Sequence, residues 1–169
     1  AFSIPVTDAA SFVWDGGGGD AKWGTDLNWS ADTEPGGADI ATFDSTCTTN
    51  CSPVIDTSIT VKGIDIMTGY AGTILQNAST TIGSNGFDMA AGVFTGGAAP
   101  ISITNNGGFV ISGGVFNNTT AGLAVDANFT IQGGTFANAS TITFTDTDAA
   151  SDTTIACTGS IPGTVVVTK

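Results

Sequence analysis

Fourteen aspartates, Glu34, three cysteines and three tryptophans are the side chains of this 169-residue sequence with chemistry to offer. Two carboxylates at a suitable separation can hydrolyse a glycosidic bond. Most of these aspartates, however, stand among Gly, Thr and Ala in turns, where capping and solubility account for them. The sequence has no His and no Arg. Nucleophilic triads therefore lack their usual base, and an acidic polysaccharide would find no guanidinium to neutralise it. No catalytic residues are expected, and the chain reads as a non-enzyme.

Calcium is the ion the carboxylates would suit. Asp146, Asp148 and Asp152 in TDTDAASD, and Asp15 with Asp20, offer oxygen ligands. Neither spacing matches an EF-hand or a Gly/Asp nonapeptide repeat, and solvated turn acids are the simpler reading. No other cofactor is expected. Cys47 and Cys51, four apart in the turn-rich STCTTNCSP, can close a small disulfide loop and leave Cys157 as a buried thiol. The alternatives pair Cys157 with one of those two or with a neighbouring subunit. A zinc site would need a His or a second close Cys pair.

Seven of the ten Asn lie in N-x-S/T: Asn28, Asn50, Asn77, Asn117, Asn118, Asn128 and Asn138. N-glycosylation is one reading. Turn Asn leading into a Thr-rich strand, as Asn128 leads into FTI, is the other.

Only 11% of residues are charged and the net charge is −12, against about 25% charged in an ordinary globular domain. Three lysines cannot neutralise a phosphate backbone, which excludes a nucleic-acid partner. No apolar run reaches the ~18 residues of a membrane span. The sequence opens Ala-Phe-Ser without Met, the kind of start that signal-peptide removal at a small-residue site leaves. An extracellular or cell-surface location is the expectation.

Four related phrases reveal the elements that must position these residues: IDIMTGYA (64–71), FDMAAGVF (87–94), FVISGGVF (109–116) and FTIQGGTF (129–136). They recur at steps of 23, 22 and 20 residues. Each has apolar first and third positions, which share a strand face, and Gly at the sixth. The terminal Phe lies seven positions on, so a flat strand would turn it outward. A Gly corner re-aims the chain so that both halves face one interior. ISIT (101–104), LAVD (123–126) and TITF (141–144) supply a further strand per coil.

The spacing predicts a right-handed parallel β-solenoid (β-helix) of about four or five coils, each burying its apolar face on its neighbours. Phe94, Phe116 and Phe136 should stack at the strand spacing. The sequence divides into an N-terminal arm (1–12), a Trp/Gly/Cys-rich cap region (13–57) and solenoid repeats (58–169) ending in a strand at 164–168. An antiparallel β-sandwich is the fallback, but it gives no reason for one phrase to recur.

Residues 13–44 contain Trp14-Asp15-Gly16-Gly17-Gly18, Trp23, Asn28-Trp29-Ser30, Pro35-Gly36 with Asp39, and the short apolar Ala41-Thr42-Phe43-Asp44. This stretch resembles the opening module of bacterial secreted and cell-surface β-helix proteins, those with autotransporter-associated β-strand repeats among them. The resemblance implies an exported β-helical protein and carries over no catalytic residue. From the residues alone, three Trp could cover the apolar end of a solenoid or present their faces to sugar rings.

The function expected is that of an exported structural subunit. It would self-assemble head-to-tail into an extracellular filament or cell-surface layer by strand addition at the solenoid ends. Two segments are candidates for the joint: the arm with Phe2, Ile4 and Val6, and the C-terminal strand with Val165, Val166 and Val167. The alternative is a surface adhesin or glycan-binding module using Trp14, Trp23 and Trp29. An ice-binding face would need Thr in register on consecutive coils, which the variable outward positions disfavour.

Overall fold

The computed structural model describes residues 9–137, 140–145, 154–158 and 164–168. They form a right-handed parallel β-solenoid of about five turns, with no α-helix among the described residues. Each coil passes through three walls. The first wall holds β1 (Ser11–Val13), β2 (Ile40–Phe43), the second halves of β4 (Ile59–Ile66) and β6 (Thr80–Met89), then β9 (Phe109–Ile111), β12 (Phe129–Ile131) and β15 (Ile155–Cys157). The second wall is β3 (Val54–Ile55), β5 (Thr73–Gln76), β7 (Val93–Gly96), β10 (Val115–Asn117) and β13 (Thr135–Ala137). The third takes the first halves of β4 and β6, then β8 (Ile101–Ile103), β11 (Leu123–Val125), β14 (Thr141–Thr145) and β16 (Thr164–Thr168). β4 and β6 bend from the third wall into the first, with a register break between Val61 and Gly63.

Alternation within each strand and parallel register between strands turn every inward position into a ladder. In the first wall one ladder runs Ala41, Ile64, Phe87, Phe109, Phe129, Ile155, and its neighbour runs Phe43, Ile66, Met89, Ile111, Ile131, Cys157. In the third wall Val61, Ile82, Ile103, Val125 and Phe144 align. In the second wall Ile74, Phe94, Phe116 and Phe136 do. The Phe rings of a ladder lie nearly parallel: Phe87, Phe109 and Phe129 at 5.2 and 4.9 Å, Phe94, Phe116 and Phe136 at 5.0 and 5.4 Å. That spacing is set by the ~4.8 Å between strands. The two Phe ladders meet edge-to-face, with Phe109 and Phe116 5.0 Å apart at 83°.

The corner between those ladders is glycine. Gly69, Gly92, Gly114 and Gly134 all have positive φ, from 68° to 92°. A Cβ on Gly114 would sit 2.7 Å from the backbone of Ala91 in the coil below. The corner thus needs Gly both for its left-handed backbone and for the close approach of the next coil. A polar corner links the second wall to the third. There buried Gln76 donates to Ala78 O and Ala99 O and accepts the Gly97 N–H.

One sequence expectation needs correction. The solenoid does not begin at residue 58, because β1, β2 and β3 are already laid in the first and second walls. In the first phrase Ile74 aligns with Phe94. Three extra residues displace the phrase end, and Tyr70 turns in to pack 5.7 Å from Phe43.

Replacing Phe116, which has Phe rings above, below and beside it, with Ala should cost about 3–5 kcal/mol in urea unfolding. Phe136→Ala, at the last coil where the ring is only partly buried, should cost less than half as much. Equal losses would mean that the ring stack does not carry the core.

Candidate functional site

The two ends of the solenoid are built differently. At the N-terminal end Trp14, Trp23 and Trp29 are fully buried. Trp29 packs edge-on between the other two, with centroids 5.1 Å from Trp14 and 4.7 Å from Trp23, and all three lie about 6 Å from Phe43. They form the roof of the first coil. Trp29 Nε1 donates to Trp23 O and Trp14 Nε1 to Asn50 O. Trp23 Nε1 is the buried side-chain polar atom left without a partner among the described residues, a cost of about 1–3 kcal/mol. The packing carries that cost. This burial overturns the glycan platform, since no indole face of Trp14, Trp23 or Trp29 reaches a sugar.

Asn28 holds the roof in place. It is fully buried, its Nδ2 donates to Asp20 Oδ1 and Lys22 O, and its Oδ1 accepts the Gly18 N–H. Its backbone carbonyl takes the N–H groups of Asp15 and Gly16. The Lys22 N–H first, then Asn28 and Thr25, hold the exposed Asp20 carboxyl below its usual range. Asp15 accepts the Gly17 N–H. Asp15 and Asp20 thus act as acceptors that close the loop.

The roof segment also closes the strand edges beneath it. Residues 28–30 run antiparallel along β1, with Ser30 N donating to Val13 O and Trp14 bridging Trp29. Residues 21–23 run parallel to β3, with Lys22 bridging Val54, and residues 34–36 lie beside 57–60 at the start of the third wall. Cys47 and Cys51 form the expected disulfide and Cys157 is free. The disulfide loop presents Asn50 O to Trp14 and Cys51 O to the Tyr70 hydroxyl at 2.7 Å; burial pushes the Tyr70 phenol up.

Among the described residues the opposite end has no such roof. Phe94 and Phe116 are buried, yet Phe136 on the same ladder is only partly so. Ile155 occupies the ladder position of Phe129 and is 43% exposed; Cys157, aligned with Ile131, is partly exposed. Partial burial nevertheless raises the Cys157 thiol pKa. Among the described residues no strand pairs with the outer edges of β13, β15 or β16. Of the predicted joint residues, Val166 in β16 is 39% exposed, and Val165 and Val167 share that strand paired to β14. Phe2, Ile4 and Val6 lie outside the described residues, as do Asp146, Asp148, Asp152 and Asn138. Among the described residues no three metal-ligating side chains gather.

The sequons divide by burial. Asn28 is excluded as a glycan acceptor because its Nδ2 is engaged in the core. Asn118 is buried, with Oδ1 accepting the Thr119 N–H, and its burial excludes it. Asn50 Nδ2 donates to Gly16 O, and Asn117 is half-buried beside Thr95. Asn77 and Asn128 are exposed. The third-wall outward ladder reads Thr60, Thr81, Ser102, Ala124, Thr143, which breaks any continuous Thr face.

Sequence reasoning missed one acidic feature. Asp65 and Asp88, second in their phrases, are in direct register on the outer side of the first wall. They border a shallow trough of about 310 Å³ with Met67, Ser112 and Gln132. The signal was the shared Asp at the same phrase position. Partial burial raises both carboxyls above the ordinary 3.8, and for Asp65 the Asp88 charge adds to it.

Comparison with protein-family models, curated proteins and solved structures returned no match.

The raised carboxyls predict a pH effect of definite sign. Between 3.8 and the raised values the folded chain holds protons that the unfolded chain has released, so these two groups lose stability as pH rises through that window. Asp88→Asn should therefore raise Tm at pH 7, by roughly 1–3 °C given solvent screening, and lose that gain at pH 3. An equal gain at both pH values, by differential scanning calorimetry, would refute the electrostatic cause.

Proposed function

We propose that this chain is an exported structural subunit that assembles with copies of itself into an extracellular filament or cell-surface layer, joined at the unroofed end of the solenoid. One observation carries the reading. Inward ladder positions that are sealed in every inner coil remain open at Phe136, Ile155 and Cys157, while the other end is sealed by three fully buried Trp. Monomeric solenoids need a polar cap on each terminal repeat, and proteins that stay single blunt their strand edges.

The likeness of residues 13–44 to the opening module of exported β-helix proteins supports export, and the disulfide suits an oxidising location. Glycans, on this reading, attach at Asn77 and Asn128. No helix among the described residues is long and apolar enough to cross a membrane.

Negative-stain electron microscopy of the purified chain, over a range of concentrations and with calcium or chelator, tests the reading. Regular filaments or sheets are expected. The rate of Cys157 labelling by a thiol reagent should fall at least tenfold on assembly. Monomers under every condition would refute the proposal.

A further inference from the structure

The unroofed end has an identifiable occupant. We infer that it is covered by residues 2–4 of a second copy, which add a strand in parallel to the outer edge of β15. The inference rests on the self-assembly reading and adds the joining segment and the polarity.

Three observations lead to it. First, much of the wall edge at the roofed end is already used, because residues 28–30 pair with the end of β1 at Val13 and Trp14 and residues 21–23 pair with Val54 of β3. Edge-to-edge stacking of two copies across the first two walls is thereby hindered, which favours a separate segment crossing the seam.

Second, the residues just before β1 repeat the pattern of the first wall. Phe2-Ser3-Ile4 matches Phe109-Val110-Ile111 and Phe129-Thr130-Ile131, the triplets that form β9 and β12. In those strands Phe and Ile point inward and the middle residue outward. Placed on β15, Phe2 would cover Ile155 and Ile4 would cover Cys157, extending both ladders by one rung. Pro5 follows at once; it lacks the N–H needed to continue the pairing and so ends the strand after three residues, the length of β9, β12 and β15.

Third, distance forbids a chain from doing this to itself. Along the first wall β15 lies six strand steps from β1, through β2, β4, β6, β9 and β12. At ~4.8 Å per step that is about 29 Å. Residues 5–10 join the triplet to β1 and reach at most about 22 Å fully extended. Ala10 is already fixed to β2 by its carbonyl, which accepts the Ile40 N–H. A neighbour stacked end-on needs only one or two steps. The contact joins unlike surfaces, so each copy donates at one end and accepts at the other, and growth continues along one axis.

The test uses a fluorescent peptide of residues 1–8, the chain lacking residues 1–8, and the full-length Ile155→Lys variant, whose changed side chain is 43% exposed in the parent. The truncated chain and Ile155→Lys should each stay monomeric alone. Mixed in equal amounts they should give a one-to-one heterodimer by light scattering, since one retains the acceptor and the other the donor. The peptide should bind the truncated chain one-to-one, and Phe2→Asp in the peptide should weaken binding at least tenfold; this arm is independent of how Ile155→Lys folds. Wild-type filaments with no heterodimer and no peptide binding would overturn the donated strand and leave self-assembly standing. Absence of wild-type assembly would overturn both.

Discussion

Apolar side chains of the inner coils are buried by the coil above, the coil below and the facing walls of their own coil. Little else covers them, because each coil is one chain thick and its inward residues meet at the axis. Stability therefore accrues along one dimension, through contacts repeated at the strand spacing. The Phe ladders show how strict the repeat must be. A ring at Phe109 has near-parallel rings at Phe87 and Phe129 and an edge-on ring at Phe116, and moving any coil by one residue would turn this set outward. The glycine corner keeps the two ladders in phase. Without its left-handed backbone the two halves of each phrase would face opposite sides.

A structure stabilised along one axis has its weakness at the ends. The chain places all three of its tryptophans at one of them. Three indoles fill the space that a preceding coil would occupy, and the polar groups they bring are met locally: Asn28 collects the backbone of the glycine run, and the disulfide loop supplies carbonyls to Trp14 and Tyr70. Trp23 Nε1 is the exception. At the other end no substitute roof stands among the described residues, and the ladders surface at Phe136 and Ile155. The asymmetry makes a head and a tail, which an assembly of unlike contacts requires.

The architecture was legible in the sequence because a parallel solenoid writes its register into the chain. Phe at fixed offsets from Gly recurs at nearly constant steps, and the structure stacks those same residues. The start of the solenoid was less legible. β2 and β3 carry no phrase, so Ala41 and Phe43 look like part of the cap although they are rungs of the first-wall ladders. The roles of the Trp and of Asn28 were open for a related reason. Spacing shows that three indoles are close in sequence but not which way their faces turn, and a sequon does not reveal that its amide is needed by Asp20 and Lys22. The acid pair at Asp65 and Asp88 was visible as a repeated letter, but its energetic consequence depends on register and partial burial.

Charge decides the direction in which such a molecule can associate. A net charge of −12 opposes the approach of two copies side by side, and the outward faces carry acids such as Asp65 and Asp88. The strands at the unroofed end, TFA in β13, IAC in β15 and TVVVT in β16, contain no charged residue, and neither do residues 1–7. An end-on joint therefore brings neutral, strand-forming surface together while the lateral acids remain in solvent and keep neighbouring stacks apart. Asp152, which precedes β15 in the sequence, and Asp8, which follows the Phe2-Ser3-Ile4 triplet, are acids close to the proposed joint along the chain. Their repulsion across a seam is screened within about 8 Å at physiological salt. Divalent cations and salt should accordingly strengthen the joint, and low ionic strength should weaken it, without altering the fold of a single copy.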